Sequence, residues 1–148
     1  MESPILLCTD GSAEALGALS SGLELLGREH RFVLVTVTDA PDEASLVGSG
    51  HAGPELTPHE FDARTTESRE AGAAAIAEAQ STLALGDVDV HLLDGTPGPA
   101  ICQLATELSA QAIVVGSRGR GGLRRMVLGS VSDHITRNAP CSVIVTRI

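Results

Sequence analysis

Two short runs, Ile5-Leu-Leu-Cys8 and Ala112-Ile-Val-Val115, are apolar at every position. Side chains of a strand alternate between its two faces, so an unbroken apolar run suits a strand covered on both sides, as in the middle of a parallel sheet. Parallel neighbours need crossovers, and the intervening sequence offers helices. After a first strand over residues 4–9, Ser12 can cap a helix carrying Leu16, Leu19, Leu23 and Leu26 along one stripe, and Gly27 ends it. A second strand covers residues 32–37. An alanine-rich helix over residues 63–85, with Gly86 as its stop, leads to a third strand over residues 88–93. Pro97 and Pro99 introduce a third helix bearing Ile101, Leu104, Ala105 and Leu108, and a last strand covers Ser142–Thr146. Strands alternating with helices predict an α/β fold, with a parallel sheet covered by helices on both faces. At 148 residues the chain makes one domain, spanning residues 1–148. Phe32 and Phe61 are its only aromatic residues, so the core must be built from Val, Ile, Leu and Ala.

The second apolar run opens into Gly116-Ser-Arg-Gly119-Arg120-Gly-Gly-Leu-Arg124-Arg125-Met-Val-Leu-Gly129-Ser130-Val131-Ser132. Beyond it, Ser130 or Ser132 can cap a helix reaching about residue 138. A strand, a glycine-rich loop and a helix start form a phosphate cradle. Glycine lets backbone N–H groups approach a ligand closely, and the first helical N–H groups carry the positive end of the helix dipole. Arg118, Arg120, Arg124 and Arg125 add four positive charges with no acid between Gly116 and Ser130. The whole chain has a formal charge of −9, and removing the +4 of the loop leaves −13 on the remainder. Such a surface repels nucleic acids and acidic membranes while focusing small anions on one place.

Two familiar phosphate motifs do not fit this loop. The Walker pattern needs a lysine, and the chain has none; the dinucleotide fingerprint fails because Arg124 stands where the third glycine should be. What does fit is G-x-x-G, nine residues, then G-S, in Gly116, Gly119, Gly129 and Ser130. The preceding strand, this spacing and the Gly-Ser-Val-Ser continuation resemble the ATP-binding branch of the universal stress protein family, and the resemblance covers essentially the whole chain. It implies a Rossmann-like, open five-stranded parallel sheet of order 3-2-1-4-5, which brings Asp10 and the Gly116 loop to one crevice. Ligands sit at such a reversal of strand order, at the carboxyl ends of the strands.

On this resemblance Gly119, Gly129, Ser130 and Val131 offer backbone N–H groups to phosphates, Ser130 and Ser132 add hydroxyls, and Arg118 or Arg120 supplies counter-charge. Asp10 contacts ribose, although it also suits an Asx turn before the first helix. Thr9 and Val37 match positions flanking adenine; for Val37, core packing explains the residue almost as well. The ligand implied is ATP, with AMP or cyclic AMP as alternatives, and Mg²⁺ bridging its phosphates. The implied role is a nucleotide-dependent stress-response sensor with little or no hydrolysis, dimerising through its last strand and acting on an unknown downstream protein. Competing readings are a slow ATPase or nucleotidyl transferase using the same pocket, or a nucleotide-free interaction module. Two departures from the family pattern lie outside the phosphate loop: Gln111-Ala112 where an acid is common, and Thr36 where histidine is usual.

The remaining features carry less. Residues 39–62 form a long connection rich in Pro, Gly and acids; its His51, His59 and Asp62 fit no metal spacing. Cys8, Cys102 and Cys141 read as buried thiols. His134 reads as a surface histidine, and Ser12 lacks a base partner for hydrolase chemistry. The start of the chain leads straight into a strand, no apolar run reaches bilayer length, and a cytoplasmic location is expected.

Overall fold

A computed structural model of the protein describes residues 2–39, 41, 56–118 and 128–147. Gly119, Arg120, Arg124, Arg125, His51 and most of the long connection lie outside the described residues. Five strands form the sheet: β1 (Ile5–Cys8), β2 (Phe32–Thr38), β3 (Asp89–Asp94), β4 (Ala112–Gly116) and β5 (Ser142–Thr146). Their order is β3-β2-β1-β4-β5 and every pairing is parallel. The predicted α/β architecture and the 3-2-1-4-5 order are therefore what the chain adopts. The central strands are the two unbroken apolar runs, and every residue of β1 and β4 is buried.

Among the described residues four helices cover the sheet: α1 (Ala13–Leu26), α2 (Pro58–Thr82), α3 (Pro97–Glu107) and α4 (Ser130–Asn138). On one face Leu16, Leu19 and Leu23 of α1 and Ile76 and Ala79 of α2 pack against Ile5, Leu7, Leu34 and Val114. On the other, Ile101, Leu104 and Ala105 of α3 and Ile135 of α4 meet Leu6, Val33, Val35 and Ile113. Each fully buried leucine or isoleucine in these layers contributes roughly 1.5–3 kcal/mol through loss of water contact.

Helix boundaries correct the sequence reading in two places. Helix α2 starts at Pro58, five residues ahead of the expected residue 63, which shortens the long connection at its far end. Thr57 and Glu60 form a reciprocal capping box there: Glu60 N–H donates to Thr57 Oγ1, and Glu60 Oε2 accepts from Thr57 N–H. Neither Ser130 nor Ser132 caps α4; the cap is Gly129, and among the described residues no side chain accepts from the helix's first N–H groups. His134 is also more than a surface residue. A Cβ built on Gly98 of α3 would stand 2.7 Å from the His134 ring, so only a bare backbone lets α3 and α4 approach there. Burial pushes the Cys8 thiol far above its ordinary range, whereas Cys102 and Cys141 are only half-buried; all three are free thiols.

Candidate functional site

The reversal of strand order lies between β1 and β4, and the two segments leaving those strands bring most of the predicted residues together. At the end of β1, Thr9 N–H continues the ladder by donating to Val35 C=O at 3.0 Å. Gly11 then takes φ 81° and donates its N–H to Thr9 Oγ1 at 3.0 Å. Ser12 donates both N–H and O–H to Asp10 Oδ1, at 2.9 and 2.6 Å, while its Oγ accepts from Ala15 N–H as the cap of α1. Asp10 is thus an Asx-turn residue with its carboxylate held in a fixed direction. One further bond fixes the turn from behind: Thr36 Oγ1, on β2 and buried, donates to Thr9 C=O at 2.6 Å.

At the end of β4, the entrance and exit of the glycine loop are tied to each other. Ser117 N–H donates to Thr146 C=O of β5. Ser117 C=O accepts from Gly129 N–H at 2.6 Å and from Ser132 Oγ at 3.1 Å, and the Ser132 hydroxyl also lies 3.1 Å from Gly129 C=O. Ser132 is almost wholly buried by these contacts. In this state its hydroxyl, and the Gly129 N–H, serve the loop's own closure. The N–H groups of Ser130, Val131 and Ser132 open α4, where no carbonyl four residues back within the helix can accept them. Gly116 is pressed close: a Cβ on it would stand 3.1 Å from Ala18 Cβ and 3.3 Å from Arg118 C=O. At Gly129 the nearest atom to an added Cβ is Ser117 O at 3.4 Å, an ordinary contact.

Val37 sits beside β1 on β2, half-buried and packed against the core under α3 and α4. Arg118 is exposed at the loop entrance. Asp133, the acid nearest the phosphate loop in sequence, is held by Arg137 Nε, 3.1 Å from each carboxylate oxygen. Farther along the carboxyl edge, Asp94 accepts from Thr38 Oγ1 and Arg69; the Thr38 hydrogen bond chiefly holds its carboxyl below the usual range. Among the described residues no group of three or more His, Cys, Asp or Glu is placed to hold a metal, and no helix is long and apolar enough to cross a membrane. Sequence reasoning finds Ser12 as the cap of α1 and misses Thr36 and Ser117 as working parts of the site. The signals for Thr36 are its place in the otherwise apolar run 32–37 and its standing where the family resemblance has histidine.

With this geometry in place, comparison with known proteins is decisive on ancestry. The model of the universal stress protein family matches residues 1–147. The chain belongs to the universal stress protein family. A Staphylococcus aureus (strain USA300) relative bearing the same family name is 30% identical over 145 residues, 97% of this chain and 82% of its own. Among solved structures, the universal stress protein UspA from Lactobacillus plantarum superposes with a TM-score of 0.69 at 23% identity, covering 99% of both chains. A family protein from Arabidopsis thaliana with AMP bound gives 0.62 at 16% identity, covering 97% of this chain and 90% of that one. A universal stress protein in complex with cAMP also gives 0.62, at 22% identity, covering 98% and 97%.

Proposed function

We propose that this universal stress protein binds an adenine nucleotide, ATP in the first instance, and acts as a stress-response sensor. The observation that carries the reading is the start of α4. It begins at the crevice between β1 and β4, and no side chain among the described residues caps it, so its first N–H groups and dipole suit an anion. The AMP- and cAMP-bound relatives support adenine as the base. In this reading Ser130, Val131 and Gly119 donate N–H groups to the phosphates, and the Ser130 hydroxyl adds a bond. Gly129 leaves room for the phosphate and Gly116 seats the loop on α1. Arg118 and Arg120 offset charge. Ser132 holds the loop closed while Asp10 accepts from ribose, and Thr9 and Val37 flank the base. Mg²⁺ is assigned to the phosphate oxygens. Isothermal calorimetry of the purified protein with ATP, AMP and cyclic AMP tests this; absence of heat with all three would remove the nucleotide from the account.

Holding rather than consuming ATP follows from the acids nearby. Phosphoryl transfer needs a group that orients the nucleophile. Asp133 is engaged with Arg137 and Asp10 with Ser12. Single-turnover phosphate release should therefore be far slower than the roughly 1–10³ s⁻¹ of ordinary enzymes; a fast rate abolished by Asp133→Asn would put the ATPase reading first.

We also propose self-association through β5, the outer strand beside β4. Because Thr146 C=O accepts from β4's side, Thr146, Ile144 and Ser142 turn their backbone polar groups inward. Val143 and Val145 turn theirs to the open edge, where an apolar strand calls for a partner. Pairing with a second copy would make a two-fold interface. Val145→Pro should give monomers by light scattering while leaving the β4–β5 ladder intact; a wild-type monomer at tens of micromolar concentration would refute the dimer. A cytoplasmic location and a downstream protein partner complete the proposal.

A further inference from the structure

We infer that Thr36 is a positioning residue for ribose recognition, acting through the backbone of the Asp10 turn. This rests on the nucleotide reading above and adds to it a residue that touches no ligand. Three bonds lock the turn locally: Gly11 N–H to Thr9 Oγ1, and the Ser12 N–H and O–H to Asp10 Oδ1. All three join residues only two apart, so they fix the shape of the turn without fixing where it stands on the sheet. Ser12 ties the far end of the turn to α1, and β2 holds Thr9 at its near end. Val35 C=O receives Thr9 N–H at 3.0 Å, and the Thr36 hydroxyl reaches Thr9 C=O at 2.6 Å. The first is an ordinary ladder bond that any residue at position 35 would supply. The second depends on a side chain, and its 2.6 Å separation is at the short end for a hydroxyl donor.

Thr36 is 3% exposed and Thr9 is 6% exposed, so water cannot replace that donor. Without the donor, Thr9 C=O would be left buried and one bond short, and the peptide joining Thr9 to Asp10 would be free to rotate. That peptide sets the direction of the Asp10 Cα–Cβ bond, and hence of the carboxylate. Thr36 also immediately precedes Val37, assigned to the base. A single strand thus holds the base on one residue and aims the ribose acceptor with the next.

The consequence is a selective one. Losing the hydroxyl should harm nucleotides in proportion to what their ribose hydroxyls contribute. Calorimetry would compare ATP with dideoxyadenosine triphosphate, which lacks both ribose hydroxyls, on wild type, Thr36→Val and Thr36→Ser. Valine keeps the shape and removes the donor; serine keeps the donor. The expected result is about a tenfold loss of ATP affinity in Thr36→Val, the worth of one well-aimed bond to a charged acceptor. Affinity for the dideoxy nucleotide should be unchanged within about twofold, with Thr36→Ser close to wild type for both. Equal losses for the two nucleotides would overturn the inference, because Thr36 would then serve only the fold. So would unchanged ATP binding in Thr36→Val. If wild type binds neither nucleotide, the nucleotide reading itself fails. Should Thr36→Val not fold, Thr36→Cys, with its weak thiol donor, carries the same comparison against Thr36→Ser.

Discussion

The segments leaving β1 and β4 have the same plan, strand then turn then helix, and opposite ways of completing it. After β1 the chain completes itself: Ser12 caps α1, Asp10 receives Ser12, and Thr9 receives Gly11 and Thr36. After β4, among the described residues, the two ends of the loop are joined at Ser117, and the helix beyond starts on a glycine with no side-chain cap. The other helices show that this is a choice. Thr57 and Glu60 cap α2 reciprocally, and α3 opens with Pro97 and Pro99, which have no N–H to satisfy. Among the described helices, α4 alone begins with a full set of donors that no side chain answers. A fold can thus reserve a binding position simply by withholding the cap it gives elsewhere.

The largest expected effect comes from giving α4 the ending that α1 has. Gly129 stands at φ −73° and ψ 168°, a backbone that aspartate adopts readily, with space for a Cβ. Gly129→Asp should hold or slightly raise stability, by about a few tenths of a kcal/mol. It should also abolish nucleotide binding, since a carboxylate facing phosphate costs several kcal/mol. Calorimetry alongside thermal melting checks both, and binding that survives would dissolve the contrast. Next comes the reverse change. Ser12→Ala removes the α1 cap and one support of Asp10, and should cost about 1 kcal/mol of stability, a fall of roughly 2–4 °C in Tm. An unmoved Tm would mean that the β1 turn is not holding itself.

Ser130→Ala sharpens the contrast from the ligand's side: about 0.5–1.5 kcal/mol of affinity should go, with stability untouched. The smallest effect belongs to a third carboxyl edge, at β3. Asp94 is held below the ordinary carboxylate range chiefly by Thr38, so its stabilisation is present above that range and is lost as pH falls through its lowered value. Both Asp94 and Arg69 are largely exposed, so solvent screening keeps this under about 1 kcal/mol. Thr38→Val should accordingly flatten the stability difference between neutral pH and about pH 3 by less than that amount, measured from urea midpoints.

Legibility in the sequence followed the range of the interaction. β1 and β4 were plain because burial on both faces is written into consecutive residues. The start of α2 was written locally too, as Thr57-Pro-His-Glu60, but proline, histidine and acids at the end of a long polar stretch resemble loop. The cap of α4 could not be read: glycine and two serines compete within four residues, and the deciding bond runs from Ser132 to Ser117, fifteen positions earlier. Thr36 stood out only as a departure from the family pattern; its role could not be read for the same reason, since its partner Thr9 follows another strand and threonine is an ordinary strand former.

The Ser117 junction has a consequence for how this protein can vary. Gly129 N–H and the Ser132 hydroxyl meet one carbonyl, that of Ser117, so β4 and α4 are joined directly. Where two segments are already joined, lengthening the connection between them is cheap, about 0.6 kcal/mol for each doubling of its length. Insertions, deletions or a wholly different sequence between Arg118 and Leu128 should therefore be inherited without loss of the domain. Length and charge in that stretch become free variables, through which one scaffold can be retuned from one anion to another.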